Sequence, residues 1–136
     1  MRQAAPADFR ATMRIYWEDT DAAGIVFYAT YLKFFERART EWLRSVGFGQ
    51  EALRTDAKIA FVVSETRLRY RRPARLDDVI DVSVDVVHFG QASLEIAQEA
   101  RRAGELLADG TIRIGCVELG TYRPVRIPNA ILETIR

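Results

Sequence analysis

Two carboxylates, Asp19 and Asp21, lie directly before a glycine-containing apolar turn and the start of a predicted helix. The first N–H groups of a helix have no acceptor within it and lie at the positive end of the helix dipole, so they can hold an oxyanion. A carboxylate beside them can act as a general base or a nucleophile. Residues 16–31 therefore contain the minimum set of groups for acyl transfer, although aspartates before a helix are also typical of solvated turns and N-caps.

The elements on either side of this stretch must hold it in place. From Ala11 to Glu18 apolar and polar side chains alternate as in a strand with one buried face, on which lie Met13, Ile15 and Trp17. A helix is predicted from about Ala29 to Val46, and its apolar side chains recur at helical spacing: Tyr31, Leu32, Phe34, Phe35, Ala38, Trp42, Leu43 and Val46. This stripe is too apolar for an exposed helix, so we expect a sheet to wrap around it.

Most of the chain after this helix has the pattern of strands. Residues Gly49–Ala57 fit either a connection or a short irregular helix, and Pro128–Ile135 fits one or two terminal helical turns. Four further strands are predicted, at Ile59–Arg71, Val79–His88, Ser93–Arg102 and Leu106–Leu119. One strand, one long helix and about four antiparallel strands make an α+β fold with a sheet of about five strands around the helix.

Length and composition limit the classes of protein that fit. The chain has 136 residues, which suits a single domain over residues 11–136 after a loose tail at 1–10. A net charge of +1 gives no electrostatic reason to expect nucleic acid or an anionic membrane as a partner. No apolar run approaches the ~20 residues of a membrane span, and the single cysteine, Cys116, has the pattern of a buried side chain in a reducing cytoplasm.

The motif around the carboxylates resembles a known family of enzymes. Its residues are Asp19-Thr20-Asp21-Ala22-Ala23-Gly24-Ile25-Val26-Phe27-Tyr28 and Tyr31-Leu32-Lys33-Phe34-Phe35-Glu36-Arg37-Ala38-Arg39, with weaker similarity at Phe61-Val62-Val63, Arg72-Pro73-Ala74-Arg75-Leu76-Asp77-Asp78 and Arg123-Pro124. Together they are similar to the signature of the 4-hydroxybenzoyl-CoA thioesterase family, which includes the acyl-CoA thioesterases of the Tol–Pal cluster. The resemblance covers nearly the whole chain beyond its first ten or so residues and implies a hotdog fold.

The resemblance also implies roles for individual residues. Asp21 matches the catalytic carboxylate, which either activates water or attacks the thioester carbonyl to form a mixed anhydride; Asp19 is its rival, and the preference for Asp21 rests on the resemblance. The backbone N–H of Tyr28 would polarise the thioester carbonyl. Gly24 would allow the backbone to approach the substrate closely, and Ser64 is a candidate for holding water or substrate.

The acyl group that the resemblance implies depends on one position. Tol–Pal-type relatives usually carry histidine where this chain has Tyr28, whereas 4-hydroxybenzoyl-CoA thioesterases carry tyrosine there. We therefore expect an aromatic acyl-CoA such as a hydroxybenzoyl-CoA as substrate, although much of the remaining motif is closer to the Tol–Pal type. The alternatives are a short- or medium-chain aliphatic acyl-CoA, an acyl-carrier-protein substrate, or a non-catalytic acyl-binding protein.

Basic residues near the pocket mouth would bind the phosphates of CoA. The candidates are Arg71, Arg72, Arg101, Arg102 and Arg123. The basic triplet of the aromatic-acyl enzymes falls at Gly90-Gln91-Ala92, which has no charge. Glu36 and Arg39 match motif positions and are interpreted as structural, pairing with each other or with the turn.

No cofactor is expected and no metal site is predicted, because His88 is the only histidine and no Cys/His spacing is present. In the family two protomers join their sheets, dimers pair into tetramers and the active sites lie at the dimer interface. The resemblance therefore implies a homo-oligomer, a dimer or a tetramer, with homotetramer as the family's assembly.

Overall fold

The computed structural model describes residues 9–136 and contains one antiparallel sheet around one long helix. The strands are β1 Arg10–Arg14, β2 Ile59–Tyr70, β3 Val79–Ser83, β4 Asp85–Phe89, β5 Ser93–Arg102 and β6 Glu105–Glu118. The helices are α1 Thr30–Ser45, the short α2 Gln50–Ala52, which continues as a π-helical turn at Leu53–Ala57, and α3 Asn129–Ile135. This is the predicted α+β hotdog architecture. Eight residues of the predicted tail, 1–8, lie outside the described part of the chain.

Within residues 9–136 the sheet has six strands in five positions. Its order is β1-β3-β5-β6-β2, and β4 pairs with β5 on the same side as β3. The register runs on unbroken across the gap between β3 and β4, since Val82 pairs with Ala100 and Asp85 with Ala97. The single strand predicted at Val79–His88 is therefore confirmed in position, but it is interrupted at Val84 and its pairing shifts between Val86 and His88.

Helix α1 lies against the sheet along its apolar stripe. Its buried residues are Tyr31, Phe34, Phe35, Ala38, Arg39, Trp42 and Leu43. All of these except Arg39 join one core cluster with buried apolar side chains of β2, β3, β5, β6 and α3, and partly buried side chains of β1 and β4 pack against it. The predicted stripe is confirmed except for Leu32, which is exposed. Cys116 is buried in the same cluster, as predicted.

Arg39 is buried in this core, where its guanidinium makes a polar contact that the sequence did not indicate. Its guanidinium donates to Gln98 Oε1 at 2.9 Å, while Gln98 Nε2 donates to the carbonyls of Phe35 and Ser83. Glu36 instead accepts from the Thr40 hydroxyl. The prediction that Glu36 and Arg39 pair with each other or with the turn is therefore wrong, because each side chain has a different hydrogen-bond partner. Burial lowers the pKa of Arg39, and the nearby Glu36 opposes this effect.

The first strand ends earlier than predicted. The Asp19 carboxylate accepts from the backbone N–H of Tyr16 at 2.8 Å, and the backbone N–H of Asp19 donates to the Tyr16 carbonyl. These bonds turn the chain into a 3-10 helix at Trp17–Asp19. Trp17, predicted on the buried face, is 78% exposed as a result.

Gly110 is required where β6 passes between β2 and β5. A Cβ at this position would overlap the carbonyl oxygen of Arg67 on β2. We expect Gly110→Ala to lower the free energy of unfolding by about 1–3 kcal/mol, because the neighbouring backbone must move. Gly115→Ala is the matched control on the same strand, since its Cβ would meet nothing closer than the Ala92 carbonyl at 3.8 Å. Denaturant unfolding of both variants compares them, and equal stabilities would contradict this packing argument.

Candidate active site

A tight turn presents Asp21 at the surface. The backbone N–H of Asp21 donates to the Ile25 carbonyl and the N–H of Gly24 donates to the Asp21 carbonyl, both at 2.9 Å. The N–H of Ala23 donates to Asp21 Oδ1, also at 2.9 Å. One carboxylate oxygen is therefore fixed by the turn, and within residues 9–136 Oδ2 has no hydrogen-bond partner.

Gly24 closes this turn with a φ of +81°, a conformation that side chains other than glycine rarely adopt. A Cβ there would meet no atom within 4 Å, so glycine is favoured by the φ angle and not by a lack of space. Gly24 is not among the residues that line the adjoining pocket. Its close approach to a substrate stays a prediction.

Asp19 and Asp21 are in different environments. Asp19 is 7% exposed and caps the 3-10 turn through the Tyr16 N–H, and its carbonyl accepts from the N–H of Phe27. Asp21 is exposed and lines the pocket. Asp19 is thus engaged in holding the turn, whereas Asp21 has an oxygen available to a ligand.

The loop at residues 71–78 supports the turn from the other side. The N–H of Val26 donates to the Ala74 carbonyl at 2.8 Å, and Ile25 forms a β-bridge with Arg75. The loop is held in turn by Asp78, whose Oδ2 accepts from the Arg75 N–H and from Arg102 Nη1 at 2.7 Å. The motif turn, the loop and β5 are therefore linked.

At the entrance to α1, two N–H groups have no acceptor among the described residues. The N–H of Thr30 donates to the Phe27 carbonyl at 2.9 Å, and the Tyr70 hydroxyl donates to the Tyr28 carbonyl at 2.9 Å. In the part of the chain that the structure describes, the N–H groups of Tyr28 and Ala29 donate no hydrogen bond. They lie directly before the N-terminus of the helix, where the dipole favours negative charge.

A pocket of about 370 Å³ adjoins the turn and the helix start. Its lining is mostly apolar and aromatic and consists of Asp21, Ile25, Val26, Tyr28, Tyr31, Tyr70, Arg71, Arg72 and Pro73. The structure thus brings Asp21 and Tyr28, both predicted site residues, to one pocket. Ser64 and Arg123 are not part of it within a single chain. Ser64 lies in β2, where its hydroxyl is 3.3 Å from the Arg113 carbonyl oxygen.

Two tyrosines in this pocket were not identified as site residues from the sequence. The Tyr70 ring lies 5.5 Å from the ring of Tyr31 and 6.3 Å from that of Tyr28, both in edge-on arrangements. Burial raises the pKa of Tyr31 and of Tyr70, and the neighbouring tyrosine hydroxyls reinforce the effect. Both hydroxyls therefore stay protonated at neutral pH. The sequence placed Tyr31 in the motif and in the first turn of the predicted helix, and Tyr70 at the end of a predicted strand, without a role for either side chain.

Of the five candidate arginines, Arg71 and Arg72 line the pocket. Arg71 forms an ion pair with Asp109 at 2.8 Å, and Arg72 is 3.2 Å from Glu105. Hydrogen bonding from Arg71 lowers the pKa of Asp109, so this pair persists at neutral pH. Arg102 is engaged by Asp78 and Glu105, and Arg101 by Glu99.

Residues 9–136 contain neither a metal-binding cluster nor a membrane-spanning helix. No group of three or more His, Cys, Asp or Glu side chains is placed to hold a metal ion. No helix in that range has both the length and the apolarity needed to cross a membrane.

Comparison with known proteins places this arrangement in a family. The family model described as the thioesterase-like superfamily matches residues 15–135. The chain is 40% identical to the acyl-CoA thioesterase YbgC of Haemophilus influenzae, covering 90% of each chain. It is 38% identical to the acyl-CoA thioester hydrolase YbgC of Escherichia coli O6:H1, covering 94% of this chain and 96% of that protein.

A solved structure agrees with these relatives. A gentisyl-coenzyme A thioesterase matches with a TM-score of 0.85 and 25% identity, covering 91% of this chain and 99% of that one. The resemblance in the motif is thereby confirmed over most of the chain. With its long helix α1 enclosed by an antiparallel sheet and a pocket at the start of that helix, the chain belongs to the thioesterase-like superfamily.

Proposed function

We propose that this thioesterase hydrolyses an aromatic acyl-CoA, such as a hydroxybenzoyl-CoA, to the free acid and CoA. The observation that carries the proposal is the position of Asp21 in the same pocket as the start of α1, as an exposed carboxylate whose Oδ2 has no hydrogen-bond partner within residues 9–136. A base or nucleophile and unpaired backbone donors are the two groups that acyl transfer needs.

Asp21 acts on the thioester carbonyl in one of two ways. As a general base it removes a proton from water, the water oxygen bonds to the acyl carbon, and the C–S bond then breaks to release CoA as the thiolate. As a nucleophile its own oxygen bonds to the acyl carbon, CoA leaves, and water hydrolyses the mixed anhydride. In both routes the carbonyl oxygen becomes an oxyanion beside the N–H of Tyr28.

A single turnover in ¹⁸O-labelled water tests for the covalent intermediate. In the nucleophilic route, water that attacks the Asp21 carbonyl of the anhydride puts the first label in Asp21 and leaves the product acid unlabelled. In the general-base route the label enters the product acid and Asp21 stays unlabelled, as also happens when water attacks the acyl carbonyl of the anhydride. Label in Asp21 after one turnover, measured by mass, therefore identifies the nucleophilic route.

The aromatic lining supports an aromatic acyl group. Tyr28, Tyr31 and Tyr70 are three of the residues that line the pocket, and edge-on or offset stacking on such rings favours an aromatic acyl group. The similarity to a gentisyl-coenzyme A thioesterase adds to this support, because its named substrate has an aromatic acyl group. Arg71 and Arg72 at the same pocket are the proposed contacts for the phosphates of CoA.

Self-association through β2 would bring the remaining predicted residues to the site. β2 is an edge strand of 12 residues, and Val63 on it is 50% exposed. An unpaired long strand is a template for pairing with another copy. Antiparallel pairing of two such strands would place Ser64 near the centre and the Arg123 end of one chain beside the Tyr70 end of the other, since Arg123 bonds to Glu118 and Glu118 pairs with Ile59.

We therefore propose a homodimer as the catalytic unit, with a tetramer as its further assembly, in the cytoplasm. Light scattering on the purified protein should give the mass of two or four chains. The mass of one chain at the concentrations used for assay, with full activity, would contradict the dimeric site.

The substrate proposal is tested with a panel of thioesters followed by release of free thiol. The panel contains 4-hydroxybenzoyl-CoA, benzoyl-CoA, butyryl-CoA, hexanoyl-CoA and an acyl-carrier-protein thioester. We expect kcat/KM for the aromatic thioesters to exceed that for the aliphatic ones by about tenfold or more, as is typical when a pocket matches one apolar shape. A preference for the aliphatic or carrier-protein thioesters would overturn the aromatic assignment, and no release from any thioester would favour an acyl-binding protein.

A further inference from the structure

Tyr70 links the end of β2 to the start of α1. Its hydroxyl donates to the carbonyl oxygen of Tyr28 at 2.9 Å, across 42 positions in the sequence. Its ring contacts those of Tyr28 and Tyr31 and lines the pocket that contains Asp21. The roles proposed above make no use of this hydrogen bond.

The bond fixes one of two successive peptide units at the helix entrance. A peptide unit is planar, so a hydrogen bond at its carbonyl also fixes the direction of its N–H. The Phe27 carbonyl, which shares a unit with the Tyr28 N–H, accepts from the N–H of Thr30. The Tyr28 carbonyl, which shares a unit with the Ala29 N–H, accepts from Tyr70.

Both units are thus held by their carbonyls, while their N–H groups have no acceptor among residues 9–136. Donors held in place before the reaction stabilise a developing oxyanion without a cost of reorganisation. A hydrogen bond accepted at the carbonyl also polarises the amide and strengthens its N–H as a donor. The Ala29 N–H is therefore both fixed and strengthened by Tyr70.

We propose that Tyr70 is a positioning residue for thioester hydrolysis, and that the Ala29 N–H it orients is a second donor to the oxyanion, beside the N–H of Tyr28. This inference rests on the proposed function and adds to it a donor and the side chain that aligns it. A phenylalanine at position 70 would keep the aromatic wall of the pocket and lose the alignment.

The first test is Tyr70→Phe. We expect kcat to fall about tenfold with KM changed less than about twofold, a smaller loss than the ~100-fold or more that follows removal of a direct oxyanion donor. Thermal unfolding of the variant shows whether the fold is kept. A variant with wild-type kcat, or one in which only KM rises, would overturn the positioning role.

The second test removes the N–H itself. Ala29 has a φ of −74°, close to the value of about −65° that proline imposes, so Ala29→Pro deletes the donor while keeping φ at position 29. We expect Ala29→Pro to lose about 100-fold in kcat. Ala29→Gly, which keeps the N–H, is the matched comparison and should lose at least tenfold less.

Combining the two changes tests the connection between them. If Tyr70 acts through the Ala29 N–H, then Tyr70→Phe should lower kcat no further in the Ala29→Pro background, because residues that act as a unit are non-additive. Losses that multiply would overturn the inference. Failure of the proposed function itself is distinct, since in that case the wild-type protein would release no thiol from any acyl-CoA.

Discussion

Asp21→Asn should abolish most of the thioesterase activity while leaving the fold in place. The asparagine oxygen can still accept from the Ala23 N–H, which is the bond that holds the side chain in the turn. The amide is neither a useful base nor a nucleophile, and loss of a general base typically costs about 10²–10⁴-fold in rate. We expect kcat for the best acyl-CoA to fall within that range, with KM little changed, measured by thiol release.

The matched control for this change is Asp19→Asn. Asp19 is the neighbouring carboxylate, but it caps the Tyr16 N–H and is buried. Its asparagine variant keeps an acceptor oxygen, so we expect most of the activity to remain, with a stability loss on the order of 1 kcal/mol. The reverse result, activity lost with Asp19→Asn and kept with Asp21→Asn, would exchange the two assignments.

Phe34→Ala should cause the largest loss of stability among single changes near the site. Phe34 is fully buried, and its ring packs edge-on against Tyr31, with ring centres 5.8 Å apart. Removing a buried phenylalanine side chain costs about 3–5 kcal/mol, because apolar contacts are lost and a cavity remains. The cavity would lie beside Tyr31, so the pocket wall should loosen as well. Denaturant unfolding measures the loss, and KM for the acyl-CoA should rise in the same variant.

Leu32→Ala is the control from the same helix. Leu32 belongs to the same predicted apolar stripe but is 46% exposed. Exposed substitutions usually change stability by less than about 0.5 kcal/mol. Similar losses in the two variants would contradict the burial pattern of α1.

The helix and the strand positions could be predicted because the buried residues recur at a regular spacing in the sequence. The stripe on α1 and the alternation at Val79–His88 each required only a local pattern. The pattern failed at Trp17, because a hydrogen bond from the Tyr16 N–H to the Asp19 side chain bends the backbone out of the strand. Periodicity contains no information about such a bond.

The site was predictable only in its local part. Asp21 and Tyr28 lie in one motif, and the structure places them in one pocket. Tyr70 reaches that pocket because of where β2 ends, and this depends on the register of β2 with β6. Contacts between residues so distant in sequence cannot be derived from spacing. Ser64 and Arg123 do not line this pocket within a single chain, so their proposed roles depend on a second copy.

The most direct measurement is a single-turnover reaction of excess protein with 4-hydroxybenzoyl-CoA, following free thiol and bound thioester together, for the wild type and Asp21→Asn. We predict that both proteins bind the thioester, that the wild type releases CoA within the turnover, and that Asp21→Asn retains the thioester intact on the same timescale. Equal thiol release by the two proteins would contradict the assignment of Asp21 as the reacting carboxylate.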